Sequence, residues 1–370
     1  MFGDAPCSQA ALIDENGSPV YLTPKMDKQE EIYTQAMQYL DDAIADLQKE
    51  DLIDPEAQDL LYQGDAEKWL KLAYGLKARY TMHLLKRSAN KDADMEKVLE
   101  YVNNSFESAE EQAAFDVYDA NNINPLYGFF VARAGLGASE SMRSKLAEYN
   151  DPRLSRAFIT KQGTSGKEQA PGTADNAVYA PNGTPEQGTS KYGTSLFMYS
   201  ISAPTLLLSY HELKFLEAEA LCRLERDAKS ALKDAVVAGL LNAENSFTIS
   251  RKELGKTLIN AASSITEAEA ESYFDNTIEA KYTAEPLKTT MTQKYFALWG
   301  ASGEATESYN DVRRMKGLGE NFIELKNPNS FPLRCPYGNS DTTTNAEVKA
   351  AYGNGQYVYS ENVWWAGGSR

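Results

Sequence analysis

Residues 206–223 read Leu206-Leu207-Leu208-Ser209-Tyr210-His211-Glu212-Leu213-Lys214-Phe215-Leu216-Glu217-Ala218-Glu219-Ala220-Leu221-Cys222-Arg223, with apolar positions recurring at the three- and four-residue period of an amphipathic helix. A second helical pattern begins at 227 and runs to 240. A connection of so few residues joins antiparallel neighbours, so the two patterns predict a helix pair. Ala218 and Ala220 before the turn, and Ala231 and Ala235 after it, are small enough to let the two helices approach closely.

Outward from this pair the same period returns. Residues 26–49 carry Ile32, Tyr33, Ala36, Met37, Leu40, Ala43, Ile44 and Leu47 on one face, with Pro24 ahead and Pro55 behind. A helix from Asp65, which serves as its cap, carries Trp69, Leu70, Leu72, Ala73, Leu76, Tyr80 and Leu84, and a third helix over 92–109 returns against it. A further pair is expected at 266–282 and 286–298, then a shorter helix at 304–315. The expectation is an all-α fold of tetratricopeptide-like helix pairs. The spacing is not a clean 34 residues, so a regular solenoid is not expected. Two stretches break the pattern. Residues 160–195 hold six glycines and three prolines among many Thr and Ser, which predicts a long irregular loop. Residues 327–370 end in Trp364-Trp365, whose large apolar surface predicts a tail pinned to the body.

Composition bounds the function. The 370 residues allow one large domain or two to three of about 150 residues each. With 42% hydrophobic and 24% charged residues the chain is an ordinary folding one. The 37 basic and 53 acidic residues leave a net charge of −16, which repels phosphate backbones, so no nucleic-acid partner is expected. The longest apolar runs, at 126–132 and 235–241, are far shorter than the roughly 20 residues that cross a bilayer. Cys7, Cys222 and Cys335 are odd in number and widely spaced, matching neither a zinc site nor a disulfide framework, and are expected to be plain thiols.

Catalytic patterns are missing from the sequence. His211-Glu212 opens like the helical zinc motif, but Phe215 stands where its second histidine belongs. There is no G-x-S-x-G. Gly166-Lys167 has Lys161 in place of the first P-loop glycine and Glu168 in place of the magnesium-binding hydroxyl, and Gly135 and Gly137 are followed by Glu140 instead of a third glycine. Among carboxylate pairs, Glu217 and Glu219 fall on different helix faces, while Asp41-Asp42 and Glu110-Glu111 suit solvated faces or helix ends. No enzyme is expected. What remains is aromatic wealth, 22 Tyr, 13 Phe and 4 Trp, and such rings can stack on the apolar faces of sugars. Trp69, Tyr74 and Tyr80 sit at helical spacings and are expected in the core. Tyr179, Tyr192, Phe197 and Tyr199, in or beside the Gly/Thr-rich stretch with Asp175, Asn176 and Asn182, are the candidate ligand contacts, with loop anchoring as their alternative role.

Several segments together resemble the SusD/RagB family, in its SusD-like, starch-binding-associated branch. Gly3-Asp4-Ala5-Pro6-Cys7-Ser8-Gln9-Ala10 is similar to the family's GD-x-P-Y-S-x-A, with Cys7 replacing tyrosine. Trp69-Leu70-Lys71-Leu72-Ala73-Tyr74-Gly75-Leu76-Lys77-Ala78-Arg79 follows W-x-K-x-A-x-S-L-x-x-R, with Gly75 at the serine. Residues 209–220 are close to T-Y-A-E-V-x-F-L-x-A-E-A. Residues 293–300 with Glu304-Ala305 and Tyr309-Asn310-Asp311-Val312-Arg313-Arg314 resemble Q-K-Y-x-A-L and E-A-W-x-D-Y-R-R. Pro332-Leu333-Arg334-Cys335-Pro336-Tyr337, Asn345 and Val363-Trp364-Trp365 follow P-x-R-x-P-Y-P, N and V-W-W, with Gly338 at the last proline.

The resemblance implies a surface-exposed outer-membrane lipoprotein that captures oligosaccharides, or in some members peptides, for import through a partner TonB-dependent (SusC-like) transporter. It implies one SusD-like domain over 1–370 with 160–199 as a loop insertion, the chain corresponding to the C-terminal three quarters of the family fold. The first residues lack an export signal, and the family's signal, lipidated cysteine and N-terminal part are expected ahead of this segment. It implies no cofactor and no chemistry. Calcium occurs in some relatives, and the acidic composition permits it. The shared motifs read as scaffold, with Asp311 and Arg313 or Arg314 forming a buried ion-pair network. A monomer in isolation is expected. The alternatives are a helical-repeat scaffold that binds peptide or protein segments between helix pairs, and a glycoside hydrolase without a recognisable motif.

Overall fold

The computed structural model describes residues 1–50, 58–133, 136–162, 167–169, 179–183, 192–254, 263–327 and 330–370. Helices α1 (Gln29–Leu47), α2 (Ala66–His83) and α3 (Lys91–Asn103) form where periodicity predicts them. Asp65 accepts a hydrogen bond from the Lys68 amide and caps α2, and Asn90 caps α3 in the same way. α3 stops short of the expected 109. The chain beyond it turns so that Ser105 Oγ donates to the Lys71 carbonyl at 2.7 Å, then enters strand β1 (Ala113–Phe115).

The middle of the chain departs from expectation. Helices α4 (Pro125–Arg133) and α5 (Glu140–Glu148) were not predicted. The stretch read as irregular contains β2 (Phe158–Gln162), β3 (Lys167–Gln169) and β4 (Thr194–Ser195), an antiparallel sheet in the order β3-β2-β4. Thr and Gly content that forbids a helix does not forbid extended chain, because Thr is at home in strands. The expected helix at 206–223 begins as strand β5 (Thr205–Leu208), paired with β1. Leu206 and Leu208 are buried while Leu207 is 48% exposed, the alternation of a strand. Three consecutive leucines satisfy either period; the Ser209 hydroxyl decides, accepting from the Glu212 amide and starting the helix at Tyr210.

From there the helix pairs are as predicted. α6 (Tyr210–Arg223) and α7 (Lys229–Leu254) form the antiparallel hairpin, α7 running well past 240, and Ala218, Ala220, Ala231 and Ala235 are all buried between neighbours. α8 (Glu267–Tyr273) continues through a π turn at Phe274–Ile278 into α9 (Glu279–Ala284), so the predicted helix at 266–282 is one rod with a widened turn. α10 (Pro286–Ala297) packs so closely on α7 that a Cβ at Gly239 would lie 2.9 Å from that of Ala297. α11 (Ala305–Leu318) follows, and α12 (Asn339–Thr344) and α13 (Ala346–Tyr352) lie in the tail. The fold is all-α with short accessory strands. α6 feeds both large apolar clusters, Phe215 and Ala218 into one, Leu213, Leu216 and Ala220 into the other.

Along the same helix run two buried carboxylates, Glu212 and Glu219. Glu212 accepts both arms of the Arg79 guanidinium from α2, the Nε contact at 2.8 Å. Glu219 accepts from Arg314 of α11 (Nη2, 2.8 Å) and from Arg223 (Nε, 2.8 Å). Arg314 also donates to Asp311 at 2.7 Å, and Asp311 binds the buried Lys294 of α10 at 2.8 Å. The expected pairing of Asp311 with an arginine therefore falls to Arg314. Arg313 instead covers the Tyr309 and Trp365 rings and donates to Asn310. Both histidines join the set: His83 Nε2 lies 2.7 Å from Glu307 and His211 Nε2 lies 3.2 Å from Glu304.

The two ends of the chain meet. Asp4 is buried, accepting from the Gln29 amide at 2.9 Å and the Tyr352 hydroxyl at 2.6 Å, while Tyr337 donates to the Asp4 carbonyl at 2.8 Å. Gly3 (φ 91°) allows no side chain, since a Cβ would sit 2.8 Å from Arg334 Nη2. Trp365, 2% exposed, stacks on His83 at 5.7 Å. The tail is pinned, as expected, and the three cysteines are free thiols.

Burial, complete for Glu219 and Glu304 and partial for Glu307, opposes their charge, but their charged and hydrogen-bonding neighbours win and hold all three below the usual carboxylate range. Asp27, despite the same opposing burial, is held down to about 2 by hydrogen bonds from Ser8, Cys7 and Lys25. A carboxylate depressed in the folded state contributes its full stability above its unfolded value, about 4, and loses it as pH falls toward the folded value. Thermal melts from pH 7 to 2 should therefore be flat to about pH 5 and fall steeply below about 4. A melting temperature unchanged between pH 5 and 3 would contradict the ionised network.

Candidate functional site

Tyr295 in the last turn of α10 and Trp299 just beyond the helix face the first turns of α11, where Ala305, Ser308, Tyr309 and Val312 share one helical face. Met142 of α5 and the loop residues Leu325 and Phe331 complete a cleft of about 240 Å³. Its four rings, Tyr295, Trp299, Tyr309 and Phe331, are all half-buried, anchored on one side and open on the other. The Tyr309 hydroxyl donates to the Pro332 carbonyl at 2.8 Å, Arg313 lies 4.2 Å from its ring centroid, and its ring packs 5.7 Å from that of Phe331. Burial pushes the Tyr295 and Tyr309 phenols above their ordinary values, so both are neutral donors at physiological pH.

Beyond Leu325 and Phe331, which belong to both, lies a second compartment of about 290 Å³ lined by Lys316, Asn321, Ile323, Glu324 and Asn327. Lys316 lies one turn beyond Val312 on the same face of α11, its ammonium 5.1 Å from the Phe331 ring centroid. Stacking faces on one side and amides and charges on the other form a surface matched to a molecule with apolar ring faces and a hydroxyl periphery.

None of the described sequence-derived candidates lines this cleft. Phe197 is a core residue, not a ligand contact: it is 1% exposed, edge-on to Trp299 at 5.1 Å and against Phe247 at 4.6 Å. Tyr192 is buried as well. Tyr179 is half-buried, edge-on to Phe158 at 5.3 Å with Arg143 over its other face at 5.2 Å, and Phe158 packs 5.5 Å from Trp299. Tyr199 is half-buried against Phe130. Asn182 accepts from Ser139 Oγ at 2.9 Å, and Asp175 and Asn176 lie outside the described residues. Phe158 and Phe197 thus pack on Trp299, with Tyr179 behind Phe158. Tyr295, Trp299, Ala305, Tyr309 and Val312 sat inside motifs read as scaffold, while Met142, Ser308, Leu325 and Phe331 lay outside them; the signal that finds the cleft is the α11 face 305, 308, 309, 312, 316 opposite Tyr295 and Trp299.

A larger cavity, about 450 Å³, lies between α6, α7 and α8 over Val237, Ala238 and Leu241. Among the described residues its rings are Tyr210 and His211, with the imidazole facing Glu304 at 3.2 Å, so they present no comparable set of stacking faces. Among the described residues no group of three or more His, Cys, Asp or Glu side chains converges as a metal site, and no helix is long and apolar enough to cross a membrane.

A family model described as SusD-like, starch-binding associating with outer membrane, matches residues 1–337. The chain belongs to the SusD-like family. A SusD/RagB family protein from Bacteroides thetaiotaomicron is 66% identical, with a TM-score of 0.94, over 100% of this chain and 77% of that one. A chitin-binding protein (22% identity, TM-score 0.70, 99% of this chain and 77% of that one) and a SusD homologue from Bacteroides fragilis (20%, 0.71, 99% and 80%) share the fold. No curated protein matches.

In this SusD-like chain Phe197 and Tyr179 should separate by their energetics. Phe197→Ala should cost about 3–5 kcal/mol of unfolding free energy in urea, as buried aromatic truncations do. Tyr179→Ala at the half-exposed ledge should cost about 1 kcal/mol. Equal costs would contradict the assignment of one to the core and the other to the ledge.

Proposed function

We propose that this chain is a cell-surface binding protein that captures an oligosaccharide in the aromatic cleft and passes it to a partner TonB-dependent, SusC-like outer-membrane transporter for import. It acts by binding, with no covalent step, as one domain and as a monomer when apart from its partner. The observation that carries the reading is the convergence of four half-buried rings, Tyr295, Trp299, Tyr309 and Phe331, on one cleft beside an amide-bearing compartment. Sugar rings offer apolar C–H faces to such side chains, while their hydroxyls reach Ser308, Asn321 and Asn327. Family membership supports the outer-membrane setting, and lipid anchorage belongs to the same proposal.

Affinity comes from stacking and desolvation on rings already held in place, so little side-chain entropy is lost on binding. Calorimetry against starch-derived, chitin-derived and other oligosaccharides, with short peptides in the same panel, tests the reading. Trp299→Ala and Tyr309→Ala should each weaken sugar binding about tenfold or more, the range for aromatic anchors, while the melting temperature shifts by a few degrees at most. Undiminished affinity in the double variant, or binding of peptides alone, would overturn it.

A further inference from the structure

The two compartments differ in charge from the rest of the molecule. A chain of net charge −16 should present a negative surface almost everywhere, and most of its partly buried lysines carry a carboxylate: Lys71 with Glu111, Lys77 with Asp41, Lys214 with Glu217, Lys294 with Asp311. Beside the aromatic cleft the pairing fails. Lys316 is an exposed side chain that lines the polar compartment with its ammonium over the Phe331 ring, and among the described residues it has no carboxylate at ion-pair distance. Lys145 lies one turn beyond Met142 on the same face of α5, half-buried, with its ammonium bonded to the Ser141 hydroxyl at 2.9 Å and likewise no carboxylate at ion-pair distance. Burial lowers its pKa, with Glu324, Lys326 and Glu148 as the surrounding charges. Glu324, the one acid lining the polar compartment, is already paired with Lys326 at 2.8 Å.

Two ammonium groups, Lys316 over the Phe331 ring and Lys145 within the field of Glu324, therefore lack an ion-pair partner of their own. A neutral sugar entering the cleft would strip water from them and return no charge, whereas an anionic substituent would restore the lost solvation and add attraction in a partly dehydrated site. Resting on the glycan reading above, we infer that the cleft is built for an acidic oligosaccharide, its ring stacked among Trp299, Tyr309 and Phe331 and its carboxylate or sulfate ester directed to Lys316 and Lys145. Asn321 and Asn327 would take hydroxyls of the same or the next residue.

The test compares each acidic ligand with its own neutral form. Hexuronate oligosaccharides and their carboxyl-reduced counterparts, and sulfated oligosaccharides and their desulfated counterparts, are titrated into the protein at low and high salt. The acidic form of one pair should bind about tenfold more tightly at low salt, the advantage expected of two partly screened ion pairs, and which pair shows it identifies the anion. High salt should erode the ratio. Lys316→Gln and Lys145→Gln should each reduce that ratio, while Lys349→Gln, exposed and away from the cleft, should not; circular dichroism melts confirm that each variant is folded. Neutral forms binding as well as acidic ones, with both lost in Trp299→Ala, would overturn the anionic assignment and leave the glycan reading standing. Binding of neither form would also overturn the anionic assignment, and binding indifferent to Trp299→Ala would overturn both.

Discussion

A carboxylate sealed away from water must be met by opposite charge, and Glu219 of α6 is met by two arginines, one from its own helix and one from α11. That requirement fixes where α11 can lie. Arg314 extends the contact to Asp311, Asp311 extends it to Lys294, and α10 is thereby held in register with α11. Lys294 immediately precedes Tyr295, and Asp311 lies between Tyr309 and Val312, so the ion pair between the helices also sets the distance across the cleft. One turn and more toward the N-terminus of α6, Glu212 holds α2 through Arg79, and the first turn of α11 clamps both histidines. Buried ion pairs rarely add much net stability against an apolar replacement; their strength is that a wrong register leaves a bare charge in the core.

Much of this was legible in the sequence, and particular residues show why the rest was not. Asp65 and the alanines of the α6–α7 pair announced a capped helix and a close hairpin because capping and small-residue packing are local. Leu206-Leu207-Leu208 misled because three apolar residues satisfy both periods until Ser209 and the partner strand at 113–115 decide between them. Phe197 misled differently: its Gly- and Thr-rich neighbourhood suggested a surface loop, yet strand β4 leads it straight against Trp299 and Phe247. The cleft itself is non-local. Met142, Trp299, Tyr309 and Phe331 come from four segments, and only the assembled core brings them to one place.

The segments shared with the SusD-like family gain a physical meaning from the same core. Gly3-Asp4 and Arg334 to Tyr337, at opposite ends of the chain, are one junction: the glycine leaves room for the guanidinium, and the tyrosine reaches back to the aspartate backbone. Glu212, Glu219, Lys294, Asp311 and Arg314, also in those segments, are buried charges of the central network. A scaffold so constrained leaves ligand choice to residues outside the helices, such as Phe331, Asn321 and Asn327, which sit on irregular chain.

A double-mutant cycle between Glu219 and Arg314, followed by urea unfolding, tests most directly whether the buried network holds the helices together. Glu219→Leu alone leaves Arg314 with Asp311 and Arg223 with Glu320, and Arg314→Met alone leaves Glu219 with Arg223, so each buried charge loses one of its two partners and each variant should cost about 3 kcal/mol. Together they should cost clearly less than the two single losses combined, with a coupling of about 2 kcal/mol or more. Additive losses would mean that the two charges do not depend on one another, and that apolar packing alone positions α11 and the cleft.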